Sequence, residues 1–120
     1  MDVLLRRRIA EELEELLPRG YEEIEEARPK IDRYLRELQP ELASGWPAAF
    51  LAILLAEGRI TPAFVASVID EFRWTLRYRR DTGKPLDSSD AYLMGMFRLR
   101  LGRDWRIAWK WPKPRRAAGA

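Results

Sequence analysis

Arginine and aromatic side chains occur together in the C-terminal part of this 120-residue chain: Arg73, Trp74, Arg77, Tyr78, Arg79 and Arg80, then Arg98, Arg100, Arg103, Trp105, Arg106, Trp109, Lys110 and Trp111. The mixture suits recognition of a polyanion that carries flat, unpaired bases. A guanidinium group pairs bidentately with phosphate oxygens, and the face of a tryptophan or tyrosine stacks on an exposed base. Residues 73–120 hold 13 basic side chains and 4 acidic ones, so a surface built from them attracts such a ligand. On this reading Arg73, Arg77, Arg80, Arg98, Arg100, Arg103 and Arg106 contact phosphate, Trp74, Tyr78, Trp105, Trp109 and Trp111 are the candidate stacking groups, and Lys110 belongs to the same binding surface. The competing reading places the tryptophans in the core and leaves the arginines as ordinary solvated charges.

Other chemistries are poorly provided for. The chain has no Cys, His or Asn, and Gln39 is its one glutamine. Disulfides, thiol nucleophiles, imidazole bases and the usual zinc ligand sets are therefore excluded. Phosphate-binding glycine loops and nucleophile elbows are also missing. Glutamates are the remaining catalytic candidates: Glu11, Glu12, Glu14 and Glu15, then Glu22, Glu23, Glu25 and Glu26. They resemble the paired carboxylates of metal-binding bundles, but those bundles also use His. A solvated acidic face paired with Arg7, Arg8 and Lys30 is the simpler reading. The expectation is a binding protein, not an enzyme, with no metal and no cofactor.

Charge divides the chain. Residues 1–45 carry 8 Lys+Arg against 12 Asp+Glu, net −4, and residues 46–120 carry 14 against 7, net +7. The basic part favours polyanions, and the acidic part faces solvent or a basic protein neighbour. The 18 arginines and the depletion of thermolabile residues suggest a thermophilic source, although a GC-rich genome would also favour Arg, Ala, Gly and Pro codons.

Positioning those side chains falls to helices. Leu5, Ile9, Leu13, Leu16 and Leu17 share one face of a first helix from Asp2 to Leu17, stopped by Pro18-Arg19-Gly20. Ile24, Ile31, Leu35 and Leu38 form a stripe over Tyr21 to Gln39, which Pro29 should kink or split. These two segments are expected to form an acidic antiparallel hairpin, residues 1–39. After the break at Pro40 to Trp46, Pro47 opens a third helix that ends at Gly58, and Thr61-Pro62 caps and starts a fourth. In the fourth helix Val65, Val68, Ile69, Phe72 and Leu76 fall on one stripe, with Trp74 and Tyr78 one turn apart on the opposite face. Asp87-Ser88-Ser89 caps a fifth helix running to Leu101. Tyr92, Leu93, Met94, Met96, Phe97, Leu99 and Leu101 nearly encircle it, which predicts the central, most buried helix, with Gly95 admitting a close neighbour.

The expected fold is thus all-α: a compact bundle of about five helices in one domain, residues 1–112, with an extended basic C-terminal tail. The acidic hairpin packs against basic helices over 47–101, and residues 113–120 form a disordered basic end. The longest apolar run, Pro47 to Ala56, is about ten residues, well short of the roughly 20 that span a bilayer. With no signal-peptide pattern at the N-terminus, the expected setting is the cytoplasm, with no membrane partner.

Two local resemblances point the same way. Leu55 to Asp70 (LAEGRITPAFVASVID) resembles the start of a helix-turn-helix or winged-helix domain, in which an Ala-Glu-Gly-x-x-Thr-Pro turn caps the second helix. It departs from that pattern where one amphipathic helix continues to Arg80 in place of a short turn and a recognition helix. Arg77 to Leu101 (RYRRDTGKPLDSSDAYLMGMFRLRL) is similar to helical segments at the ends of phage and plasmid replication proteins. The resemblances imply a nucleic-acid-associated protein. The expected function is sequence-nonspecific binding of nucleic acid, single-stranded above all, as an accessory subunit among the protein subunits of a larger assembly such as a guide-RNA effector or replication complex. The alternative is a protein-interaction module or a phage- or plasmid-encoded regulator with a protein partner, since Trp and Arg also anchor protein interfaces.

Overall fold

A computed structural model describes residues 2–102. Within them are five α-helices and no strand: α1 (Val3–Leu16), α2 (Ile24–Leu38), α3 (Trp46–Ala56), α4 (Pro62–Asp81) and α5 (Ser89–Leu101), with a 3-10 turn over Tyr21–Glu23 before α2. The all-α bundle is as the periodicity predicts. The expected basic tail lies outside the described residues.

Local chemistry sets the helix ends. The side chains of Asp2, Thr61 and Ser88 accept hydrogen bonds from the amides of Leu5, Phe64 and Ala91, satisfying donors that a helix N-terminus leaves open. α3 and α4 finish in the same way. The Gly58 amide donates to the Leu55 carbonyl and the Arg59 amide to Leu54; the Gly83 amide donates to Arg80 and the Lys84 amide to Arg79. Gly58 and Gly83 have φ of 68° and 76°, the left-handed conformation this double bond requires.

Pro29 does not split α2, which is continuous from Ile24 to Leu38. The carbonyl that loses its donor is that of Glu25, and both residues are exposed, so water can serve it.

Packing departs from the sequence expectation in two respects. The acidic segments touch, but α1 packs chiefly along α4 and α2 chiefly along α3, so the hairpin is interleaved with the rest of the bundle. Secondly, α3 and not α5 is the central helix. Pro47, Ala48 and all of Phe50 to Leu55 are buried, whereas α5 buries Leu93, Met94 and Phe97 alone. Leu99 is 85% exposed, and nothing lies within 4 Å of where a Cβ on Gly95 would stand. α3 carries no charge and can be surrounded. The exposed Arg98 and Arg100 keep one side of α5 in water.

The core joins all five helices: Ile9 and Leu13 from α1, Ile31 and Leu35 from α2, Phe50, Leu51 and Leu54 from α3, Val65, Val68 and Phe72 from α4, and Phe97 from α5. Each such side chain contributes about 1.5–3 kcal/mol on burial. Phe97 packs between Phe50 and Phe64, with ring centroids at 6.5 and 6.1 Å. Asp90 fastens α5 to the loop after α2 by accepting from the amides of Ala43, at 2.8 Å, and Ser44, at 3.1 Å. Among the described residues, no helix is long and apolar enough to cross a membrane.

Candidate functional site

α4 positions the first cluster of predicted residues. Val65, Val68, Ile69, Phe72 and Leu76 are all buried, and this stripe turns the other side of the helix outward. Trp74 and Tyr78 stand there 55% and 54% exposed, one turn apart. Their rings lie parallel, with centroids 5.3 Å apart and planes 8° from coplanar. Neither ring is needed for the core, so for this pair the reading of tryptophan as filling is wrong. The stack leaves a flat aromatic face open to a ligand.

The arginines beside it differ in their duties. Arg73 Nη1 donates to the Leu38 carbonyl at 2.7 Å, satisfying one of the open acceptors at the C-terminus of α2 and placing a cation at its negative end. Arg80 Nη2 donates to Glu41 Oε1 at 2.8 Å. Burial pushes the Glu41 carboxyl up, but hydrogen bonds from its own backbone amide, Gln39 and Arg80 outweigh this and hold its pKa below the ordinary value. Arg77 is exposed, between these two along the helix, and forms no ion pair with a described residue. Arg73 and Arg77 line two depressions. One, of about 170 Å³, is lined by Gln39, Glu41, Leu76 and Arg80 as well. The other, of about 350 Å³, is completed by Asp2, Leu5, Asp70 and Trp74.

Sequence reasoning missed the larger groove. Its floor is Asp70, 5% exposed, whose Oδ2 accepts from Arg6 Nε at 2.7 Å and from the Asp2 amide at 3.1 Å. These bonds pin the start of α1 to the middle of α4, bringing residues of the acidic half beside Trp74. An acid directly after the buried Ile69 and one turn after the buried Ala66 was the available signal on α4. Nothing local pointed to Arg6, which is 64 residues away.

The second predicted cluster is only partly described. Arg98 and Arg100 lie on α5, where Arg100 pairs with Glu71 of α4 across the helix interface. Arg103, Trp105, Arg106, Trp109, Lys110 and Trp111 lie outside the described residues. The glutamates of α1 and α2 make local or neighbouring contacts: Arg8 with Glu12 at 3.7 Å, Arg28 with Glu25 at 3.4 Å, Lys30 with Glu26 at 3.5 Å, and the Tyr34 hydroxyl with Glu12 at 2.8 Å. Among the described residues, no group of three or more acidic side chains converges as a metal site would require.

No protein-family model, curated protein or solved structure matches the chain.

Proposed function

We propose that the protein binds nucleic acid, single strands above all, as a small accessory subunit of a larger assembly that handles DNA or RNA, such as a guide-RNA effector or replication complex. The observation that carries this reading is the exposed, nearly coplanar stack of Trp74 on Tyr78 with Arg77 beside it. An aromatic platform accepts the face of any unpaired base, and an adjacent guanidinium takes the phosphate, a combination that duplex DNA with its bases paired inside cannot exploit. Arg73 and Arg80 add positive potential while serving the fold.

The experiment is fluorescence anisotropy of labelled single-stranded and duplex oligonucleotides at low and near-physiological salt, with wild type, Arg77→Ala and Trp74→Ala. Single strands should bind more tightly than duplex. Affinity should fall steeply with salt, and Arg77→Ala should reduce the salt slope by about 1. No binding at low salt would refute the proposal for the isolated chain.

A protein partner is the second reading, favoured by the outward Leu99 on α5. A contact anchored on that apolar side chain would change little with salt.

A further inference from the structure

The groove between α1 and α4 is built for more than a strand backbone. It is lined by Trp74 and Leu5, by Arg73 and Arg77, and by two carboxylates, Asp70 and Asp2. Both bonds to Asp70 fall on Oδ2, from Arg6 Nε and the Asp2 amide. Oδ1 of this nearly buried carboxylate accepts nothing from any described residue. Asp2 uses Oδ1 to cap α1 through the Leu5 amide, and its Oδ2 likewise accepts nothing among the described residues. Both residues line the groove, so these two oxygens can take a ligand's donors, and a hydrogen bond to a charged group contributes about 1.5–3 kcal/mol.

We infer that this groove receives one unpaired guanine of the bound strand, with the base face against Trp74, the base edge on Asp70 and Asp2, and the neighbouring phosphate on Arg77; the assignment rests on the strand-binding reading above. Guanine presents two adjacent donors, N1–H and the 2-amino group, on its pairing edge. Adenine and cytosine place an acceptor beside their amino group, and thymine or uracil flanks its one N–H with two carbonyl oxygens. Each of these sets a lone pair against a carboxylate. A cationic side chain from a protein partner fits less well, because Arg73 and Arg77 already balance Asp2 and Asp70 in the lining and Asp70 is also paired with Arg6. Stacking and phosphate contacts read no sequence, so the groove adds a preference at a single nucleotide position.

The test uses the wild-type protein and labelled oligothymidylates that are uniform or carry one central deoxyguanosine, deoxyinosine, deoxyadenosine or deoxycytidine. Deoxyguanosine should tighten binding about tenfold over the uniform strand, as a good pair of base-edge bonds does. Deoxyinosine, which lacks only the 2-amino group, should lose most of that gain, and deoxyadenosine and deoxycytidine should show none. Asp70→Asn, checked for helicity by circular dichroism, should abolish the preference, and the inosine comparison decides the matter even if that variant unfolds. Equal binding of all five strands, with salt sensitivity and dependence on Arg77 retained, would overturn the guanine site and leave strand binding standing. Absence of binding to any strand at low salt would remove both.

Discussion

Trp74 and Tyr78 lie ring on ring along the outer face of α4, their centroids 5.3 Å apart, while Phe72, two residues before Trp74, is fully buried on the opposite side. The same helix thus carries aromatics with two separate purposes, and substitution should separate them.

Trp74→Ala should change stability by less than about 1 kcal/mol, since it removes an exposed stacking contact and no core volume. Phe72→Ala should cost about 3–5 kcal/mol by opening a cavity. Urea denaturation of both variants measures this. A Trp74→Ala loss as large as that of Phe72→Ala would mean that the stack belongs to the core.

Arg73→Ala should destabilise the fold by about 2 kcal/mol, because it strips a charge-assisted bond from the Leu38 carbonyl at the end of α2. Arg77→Ala should leave the urea midpoint unchanged and weaken oligonucleotide binding. Arg77 is therefore the clean probe of the site, and a binding defect in Arg73→Ala has to be read beside its stability.

Gly95 and Gly83 should respond oppositely to alanine. Gly95 is helical, with nothing near its missing Cβ, so Gly95→Ala should gain about 0.5–1 kcal/mol from helix propensity. Gly83 ends α4 at φ 76°, and Gly83→Ala should lose about 1 kcal/mol to strain. Thermal melts of the two variants should shift in opposite directions. Destabilisation by Gly95→Ala would show that α5 has a close neighbour at that position.

The Tyr34 phenol is held above its ordinary pKa by burial first and then by its hydrogen bond to Glu12. The native chain keeps this proton when the unfolded chain releases it, near pH 10. The contribution to stability is therefore complete below about pH 10 and is lost as pH rises towards the native pKa. Tyr34→Phe should flatten the fall in urea midpoint between about pH 9 and about pH 11. Profiles that stay parallel to wild type would refute the linkage.

The sequence alone determined the features that depend on neighbours three or four residues apart. Helical periodicity and caps are local, so Asp2, Thr61 and Ser88 announced helix starts, and the α4 stripe announced that Trp74 and Tyr78 would face outward. Which face of which helix meets another is decided by contacts between distant residues, and there local reading failed. The apolar circumference of α5 promised burial, yet α3, with no charge to solvate, took the centre and left Leu99 in water. That Arg73 and Arg80 also serve the fold, at Leu38 and Glu41, was decided by tertiary structure alone. The Asp70 groove exists only because α1 packs along α4 and sets Arg6 against a carboxylate 64 positions away. Short-range geometry is written in residue spacing, whereas long-range pairing depends on how the whole chain shares one core.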